Sequence, residues 1–375
     1  MNEEGKTIAV VINTSWNIYN FRIGLLQALQ EEGYSVVAIA PRDGYSEKLQ
    51  AFGFEFHNVD INNKGTNPIE DTKLIWSFYK LYKRVNPDVL LHYTIKPNIY
   101  GTVAARIAGI PVISNISGLG TVFLNQGISS RIAKLLYKVA LQFPAKVFFQ
   151  NAEDRALFID SKLVAENKTD LLPGSGIDTL KFSPIESDND STVDTFLFIA
   201  RLVKDKGLVE YVDAARIVKG KYPDVVFKVL GAFYPGNPTA ITQEEMAAWE
   251  HEGVITYLGT SNEVPSLIAA ADCVVLPSYR EGLSRVLLEA ASMATPIITT
   301  DVPGCRDVVD NEGNGFLCKV KDARDLAVQM EKMIKLEQVQ RVEMGLKGRE
   351  KVVKEFDEAI VINQYQDAIS DIFAV

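Results

Sequence analysis

A chain of 375 residues that is 47% hydrophobic and 23% charged is globular rather than disordered, and it is too long for one compact core, so two domains are expected. Its net charge of −9 and the lack of any nucleic-acid-binding motif argue against a nucleic-acid partner. No run reaches the roughly 18 consecutive apolar residues of a membrane-spanning helix, no apolar signal segment opens the chain, and the three cysteines, Cys273, Cys305 and Cys318, lack metal-ligand pairing, so a reduced cytoplasmic protein with core cysteines is predicted.

The run TIAVVINT (7–14) reads as a buried strand, FRIGLLQALQEEG as a helix ending at Gly33, and YSVVAIAP as the next strand, so the chain opens as a βαβ unit. Similar apolar runs recur at PDVLLHY (87–93), IPVISNI (110–116) and AKVFFQN (145–151), separated by helical segments. This alternation predicts a parallel sheet covered on both faces, a doubly wound α/β domain. After LLPGSGIDTLKFSP comes the polar, acidic stretch IESDNDSTVD, where a domain boundary is expected: residues 1–185 form the first domain and 192–357 the second. The strands TFLFIAR, VVFKVLG, VITYLG, DCVVLPS and TPIITTD carry the second series, EGNGFLC (312–318) is the last strand signal, and helices follow.

Charge is unevenly placed. From Thr72 to Asn151 ten bases (Lys73, Lys80, Lys83, Arg84, Lys96, Arg106, Arg131, Lys134, Lys138, Lys146) meet one acid, Asp88. The amphipathic segments LIWSFYKLYKRV (74–85) and ISSRIAKLLYKVALQF (128–143) hold most of them, mixed with Trp, Tyr and Phe. Such a belt suits an anionic bilayer surface and a lipid diphosphate; the same segments also read as ordinary helices on a sheet with solvated bases. Asp188-Asn189-Asp190 spells a metal-binding Asp-x-Asp, but it follows no apolar strand and is flanked by Ser and acids, so it reads as solvated linker and no essential metal is expected.

The most informative stretch is REGLSRVLLEA (280–290), which sets Glu281 and Glu289 eight residues apart at the mouth of an apolar helix. The run ADCVVLPSY leads in as a strand, Gly282 breaks the path, and Ser284 can cap the helix. Glu281 therefore sits on the loop and Glu289 about two turns on, about 12 Å along the axis at the helical rise, the span from hexose to ribose in a nucleotide sugar. The helix N-terminus between them can receive a diphosphate through its unpaired N–H groups and positive dipole end.

With IARLVKDKG (199–207), YLGTSNEVPSLIAAADCVVLPSYREGLSRVLLEA (257–290) and PIITTDVPGCRDVV (296–309), in that order, the chain resembles the retaining glycosyltransferases of family 4. The likeness covers nearly the whole chain. KPNIYG (96–101) and SGLGTVF (117–123) carry a narrower likeness to bacterial enzymes that extend glycans on a polyprenyl diphosphate, N-acetylgalactosaminyl transferases among them. The resemblance implies the GT-B fold, two Rossmann-like doubly wound domains facing a central cleft. It also implies that the closing segment DEAIVINQYQDAISDIF crosses back onto the first domain, so that 358–375 belongs with 1–185.

The resemblance implies roles as well. Glu281 would orient sugar hydroxyls and balance oxocarbenium charge, Glu289 would accept from the ribose, and Gly282, Leu283 and Ser284 would line the donor. Arg201 and Lys206, in the RLxxxKG pattern after a strand, would hold the leaving diphosphate in place of a metal. Gly231 opens GAFYPGNP, whose Phe233 or Tyr234 could lie against a pyrimidine or simply pack the loop; a UDP-sugar donor rests on family precedent. On the acceptor side, the loop NTSWNIYNFR (13–22) offers Asn20 and Arg22, and HYTIKPN (92–98) offers Tyr93, Lys96 and Asn98. The first loop lacks the Gly-Gly pair common in the family, and no catalytic histidine is assigned, His92 standing one position before the family's usual place. Gly118 and Gly120 permit close backbone approach to an acceptor or to a neighbouring helix. A cytoplasmic enzyme on the inner face of the membrane, taking a lipid-diphosphate saccharide, is the expected function. The alternatives are a silent nucleotide-sugar-binding scaffold, or another GT-B enzyme such as an epimerase or phosphorylase.

Overall fold

The computed structural model describes residues 5–62, 67–119, 128–185 and 195–374. It divides into two compact units, residues 1–175 with 358–375, and residues 176–357.

In the first unit seven parallel strands form one sheet in the order β3-β2-β1-β4-β5-β6-β7: β1 Thr7–Val11, β2 Ser35–Ala40, β3 Glu55–Asn58, β4 Val89–Tyr93, β5 Val112–Ile116, β6 Lys146–Phe149 and β7 Thr169–Leu171. The central strands are buried on both faces because helices cover each side, which is why they read as continuous apolar runs rather than alternating ones. The edge strands β3 and β7 escape that pattern. Each buries a single residue fully, Phe56 and Thr169, so neither carries an apolar run to announce it.

Helix α1 (Ser15–Phe21) and α2 (Ile23–Glu31) follow β1, α3 (Ser46–Ala51) follows β2, and α4 (Pro68–Val85) follows β3. The segment 13–22, expected as a loop, is thus mostly helix, and the single helix expected from 21 is broken at Arg22, whose φ −135° and ψ 0° are not helical. Helix α4 starts on Pro68 with Asn67 accepting from the Ile69 N–H, and it ends on Asn86 in the left-handed conformation. A π-helical turn over Pro97–Gly101 leads from β4 into α5 (Thr102–Ala108), and α6 (Ile128–Ala140) and α7 (Ala152–Asp160) flank β6. The final helix, Glu358–Ala374, packs its Val361, Tyr365, Ala368 and Ile369 into the same core as Ile8, Val10, Leu91 and Phe148. At Gly24 of α2 an added Cβ would lie 2.8 Å from the Glu358 carboxylate, so the end of the Glu358 side chain rests against bare backbone there.

The second unit holds six parallel strands in the order β10-β9-β8-β11-β12-β13: β8 Thr195–Ile199, β9 Val226–Leu230, β10 Thr256–Tyr257, β11 Cys273–Leu276, β12 Ile297–Thr300 and β13 Gly315–Cys318. Its helices are α8 (Leu208–Lys219), α9 (Gln243–His251), α10 (Val264–Ala269), α11 (Arg285–Ser292), α12 (Ala323–Lys335) and α13 (Gln338–Glu355). Both sheets reverse strand order once, at β1/β4 and at β8/β11. Loops leaving the carboxyl ends of strands diverge at such points and leave a crevice, which is where open α/β sheets bind ligands.

One expected boundary moves. Residues 176–185 belong with the second unit: the Ile177 N–H donates to Phe356 O at 2.9 Å, Phe182 joins the core of Phe196 and Phe198, and Ser292 Oγ donates to Phe182 O at 2.6 Å. The acidic run that suggested a later boundary is mostly within 186–194, outside the described residues, as is Asp188-Asn189-Asp190. Cys273, Cys305 and Cys318 are buried free thiols, and burial pushes Cys305 and Cys318 up to about 12, as expected of inert core residues.

Candidate active site

At the switch point of the second sheet, the loop after β8 meets the loop after β11. The Tyr279 N–H donates to Asp205 O at 2.9 Å, and Ser278 Oγ to the same oxygen at 3.2 Å. These bonds stitch a 3-10 turn, Lys204–Lys206, against the segment carrying Glu281. Gly207 closes the turn at φ +77°, where an added Cβ would overlap the Pro277 carbonyl. The consequence is direct: Lys206 Nζ donates to Glu281 Oε1, with side chains only 18% and 13% exposed. Two residues separated by 75 positions, both singled out from sequence, are in contact.

Arg201 lies on the same loop, exposed, with its guanidinium 5.0 Å from the Tyr234 ring centroid. Gly231 at the end of β9 sits where a Cβ would overlap Ala200 O; its carbonyl accepts from Tyr257 Oη at 2.8 Å. Phe233 packs edge-on to Tyr257 at 5.4 Å and against the core. Of the two aromatics, Phe233 is the loop-packing one and Tyr234 the exposed one.

As expected, Glu281 lies on the loop and helix α11 starts at Arg285 after Ser284; the expected span does not hold, because only four helical steps precede Glu289, an axial rise of about 6 Å rather than ~12 Å. Ser284 occupies the N-cap position, but its side chain makes no capping bond. What shapes Glu281–Ser284 is the turn after β12. The Glu281 N–H donates to Pro303 O at 3.2 Å, the Ser284 N–H donates to Gly304 O at 2.9 Å, and Gly304 stands at φ +75° with the Glu281 carbonyl 2.6 Å from where a Cβ would sit. Gly282 is buried and Leu283 packs against the core. Sequence reasoning gave Pro303-Gly304 no role, although a Pro-Gly pair is a turn signal.

Glu289 is nearly buried beside Arg285, whose Nε donates to Oε1 at 3.1 Å. Desolvation raises its carboxyl above the usual range, against the attraction of Arg285 and Lys181. Among the described residues no group of three His, Cys, Asp or Glu side chains could hold a metal ion.

At the switch point of the first sheet, Arg22 after β1 lies over the Tyr93 ring at the end of β4, 4.5 Å from its centroid. Arg22 is only 7% exposed; its Nη1 donates to Phe21 O at 2.9 Å and its buried Nε has no partner among the described residues. Tyr93 also neighbours Tyr365 of the final helix, whose Oη accepts from Asn115 Nδ2 at 3.0 Å. Asn98 donates to Asn115 O at 2.8 Å, and its buried Oδ1 has no partner among the described residues. Thr94 between them has φ +64°, an unfavourable conformation for a β-branched residue and a mark of local backbone strain. Arg22, Tyr93 and Asn98 are therefore brought to one sheet edge, and Tyr365 and Thr94 join them unforeseen by any motif.

Other expected contributors are engaged elsewhere. Asn20 donates to Trp16 O within α1. Lys96 pairs with Asp71 at 2.9 Å, and Tyr100 donates to the same carboxylate at 2.7 Å. The basic belt counted from Thr72 began one residue after that acid. Gly118 has φ +132°, a backbone that favours glycine, and Gly120 lies outside the described residues. The N-terminus of α1, bare of glycines, is taken by Asp43. Its Oδ2 accepts from the Trp16 N–H at 3.2 Å and its Oδ1 from Ser15 Oγ at 2.6 Å. Burial alone would raise this carboxyl, but the hydrogen bonds from Ser15, Tyr45, Trp16 and Thr14 outweigh it and lower its pKa. His92 points away from this edge into the core, between Tyr82 Oη and Thr102 Oγ1 at 3.0 Å each. Burial lowers it to about 3, so it stays neutral and structural.

The family described as glycosyl transferases group 1 matches residues 181–351, and the family described as glycosyl transferase 4-like matches residues 7–151. The chain is 28% identical over 93% of its length, and 94% of the relative's, to N,N'-diacetylbacillosaminyl-diphospho-undecaprenol alpha-1,3-N-acetylgalactosaminyltransferase of Campylobacter jejuni. It is 30% identical, over 68% of each chain, to UDP-Gal:alpha-D-GlcNAc-diphosphoundecaprenol alpha-1,3-galactosyltransferase of Escherichia coli. The crystal structure of Anabaena HepE in complex with UDP and glucose superposes with a TM-score of 0.79 at 17% identity, covering 97% of this chain and 99% of the other. Family profiles on both units, relatives that align along most of the chain and two doubly wound sheets lead to one assignment: the chain is a GT-B glycosyltransferase of the family 4-like group.

Proposed function

We propose that this glycosyltransferase moves an N-acetylhexosamine from a UDP-sugar to a lipid-diphosphate-linked saccharide in bacterial surface-glycan assembly, with retention of configuration and without a metal. The observation that carries the reading is the meeting of Lys206 with Glu281 at the β8/β11 crevice, beside the N-terminus of α11. A cation, a carboxylate and a row of helix N–H groups are what a diphosphate bonded to a sugar needs. The activities of the Campylobacter and Escherichia relatives support the lipid-diphosphate acceptor, and the Campylobacter N-acetylgalactosaminyltransferase supports the class of sugar.

In this reading the C1–oxygen bond to the diphosphate breaks with its electron pair going to the phosphate oxygen. The acceptor hydroxyl bonds to C1 on the same face and passes its proton to that oxygen. Arg201 and Lys206 stabilise the charge gathering on the leaving group, and Glu281 steadies the cationic sugar. Glu289 accepts from the ribose, Gly231, Gly282, Leu283 and Ser284 line the donor, and Tyr234 rather than Phe233 offers a face to the base. In the first unit Arg22, Tyr93 and Asn98 meet the acceptor. The test is acceptor-dependent nucleotide release from a panel of UDP- and GDP-sugars with polyprenyl-diphosphate saccharides, with and without EDTA. Release from one UDP-N-acetylhexosamine that persists in EDTA is the expected result; loss of release in EDTA, or release only from a GDP-sugar, sinks the reading.

The same proposal places the enzyme on the inner face of the cytoplasmic membrane, through bases within residues 72–151. With Lys96 and Lys146 paired to Asp71 and Asp170, the support lies on α6. Ala133, Tyr137 and Ala140 face the core, while Ile132, Leu135 and Val139, with Phe143 just beyond, are 41–62% exposed among exposed Arg131 and Lys138. An outward apolar stripe edged with bases fits an anionic interface. The enzyme should float with phosphatidylglycerol vesicles and not with phosphatidylcholine ones, and the Leu135→Glu, Val139→Glu pair should abolish flotation. Equal flotation of wild type and variant would remove the surface from the proposal.

A further inference from the structure

Arg285 is poorly placed for the helix it begins. It is the first residue of α11, where the dipole disfavours a cation, and it precedes its partner Glu289 by four residues, the less favourable order for an ion pair on a helix. Helix stability therefore does not account for it. Its contacts do. Nε donates to Glu289 Oε1 at 3.1 Å while Nη1 of the same fork donates to Gly176 O at 3.0 Å, so one rigid guanidinium ties the carboxylate to the backbone at the start of the second unit. Gly176 stands at φ +68° and Ile177 is anchored to Phe356, which makes that carbonyl a fixed point.

We infer that Arg285 is a positioning residue for ribose recognition: it holds Glu289 in one orientation, so that the free carboxylate oxygen is aimed at the sugar hydroxyls of the nucleotide. The inference rests on the proposed role of Glu289 and goes beyond it by naming what sets the carboxylate's geometry and charge. Without the guanidinium, Glu289 keeps a chain with three rotatable bonds in a nearly buried site and loses its nearest positive neighbour. The first change lets the acceptor oxygen wander from the hydroxyl, and the second favours the protonated carboxyl, which accepts less well. A lysine retains the charge but not the fork, so it can serve Glu289 or the Gly176 carbonyl and not both.

The experiment compares competitive inhibition by UDP and by 2′-deoxy-UDP in the wild type and in the Arg285→Ala, Arg285→Lys and Glu289→Gln variants, with thermal melts to confirm folding. The wild type should prefer UDP. Arg285→Ala should shrink that preference about tenfold, the size of one hydrogen bond to a charged group, with Arg285→Lys restoring part of it and kcat changing less than the donor KM. Burial already raises the Glu289 carboxyl; removing Arg285 raises it further, so UDP affinity in Arg285→Ala should fall off at a higher pH than in wild type as the solution is acidified. Adding Arg285→Ala to Glu289→Gln should change the preference no further.

Equal weakening of UDP and 2′-deoxy-UDP by Arg285→Ala would place the guanidinium on the diphosphate and overturn the inference. An unaltered preference in Glu289→Gln would remove the ribose role of Glu289 itself, and the inference with it. An altered preference there with none in Arg285→Ala would sink the inference alone. If Arg285→Ala fails to fold, Arg285→Lys decides by the same ratio.

Discussion

Replacing Glu281 by Gln is expected to lower kcat by about a hundredfold or more while UDP-sugar affinity stays within about threefold. The amide has the same shape and retains an oxygen that accepts from Lys206, so the contact that joins the β8 and β11 loops survives. What disappears is the negative charge. A charge that steadies the sugar as it becomes cationic acts in the transition state more than in the bound ground state, so its loss shows in kcat. Pre-steady-state donor binding and steady-state turnover on one preparation separate the two quantities. A Gln variant with wild-type turnover would remove Glu281 from the chemistry and leave it as an anchor for Lys206.

Gly304→Ala should be a severely damaging small substitution near the site. The residue has φ +75°, where a side chain costs roughly 1–2 kcal/mol by itself. An added Cβ would also lie 2.6 Å from the carbonyl carbon and oxygen of Glu281, and backbone cannot move aside as a side-chain end can. The 302–304 turn carries the hydrogen bonds to the Glu281 and Ser284 N–H groups. The variant should therefore lose about 2–4 kcal/mol of stability and, even where folded at low temperature, turn over at least as poorly as Glu281→Gln. Denaturant unfolding and turnover at 15–20 °C check both halves. A stable variant with normal turnover would show that the turn after β12 does not shape the Glu281 loop. Gly53, whose Cβ position is open but whose φ is +87°, is the control: Gly53→Ala carries the backbone strain without the overlap.

Much of this protein is legible in the order of its residues. Strands buried on both faces must be apolar along their whole length, so β1, β4, β5, β8 and β11 announce themselves, and their alternation with helices implies parallel sheets. Loop residues next to such strands become site candidates because a parallel sheet binds ligands at its carboxyl edge. Arg201, Lys206, Glu281, Arg22 and Tyr93 were all reachable that way.

Tertiary structure alone decided the rest, because it depends on which distant segments touch. Edge strands β3 and β7 bury too little to leave an apolar run. Lys96 looked like a free base until Asp71, 25 residues earlier, met it. His92 proved to be a core residue because a strand presents alternate side chains to opposite faces, and its face is the one with Tyr82 and Thr102. Glycine-304 gained its importance from Glu281, and Arg285 from Gly176. A single chain specifies which groups are available; burial and hydrogen bonding between remote segments determine which of them stay charged, which are neutralised, and where each one points.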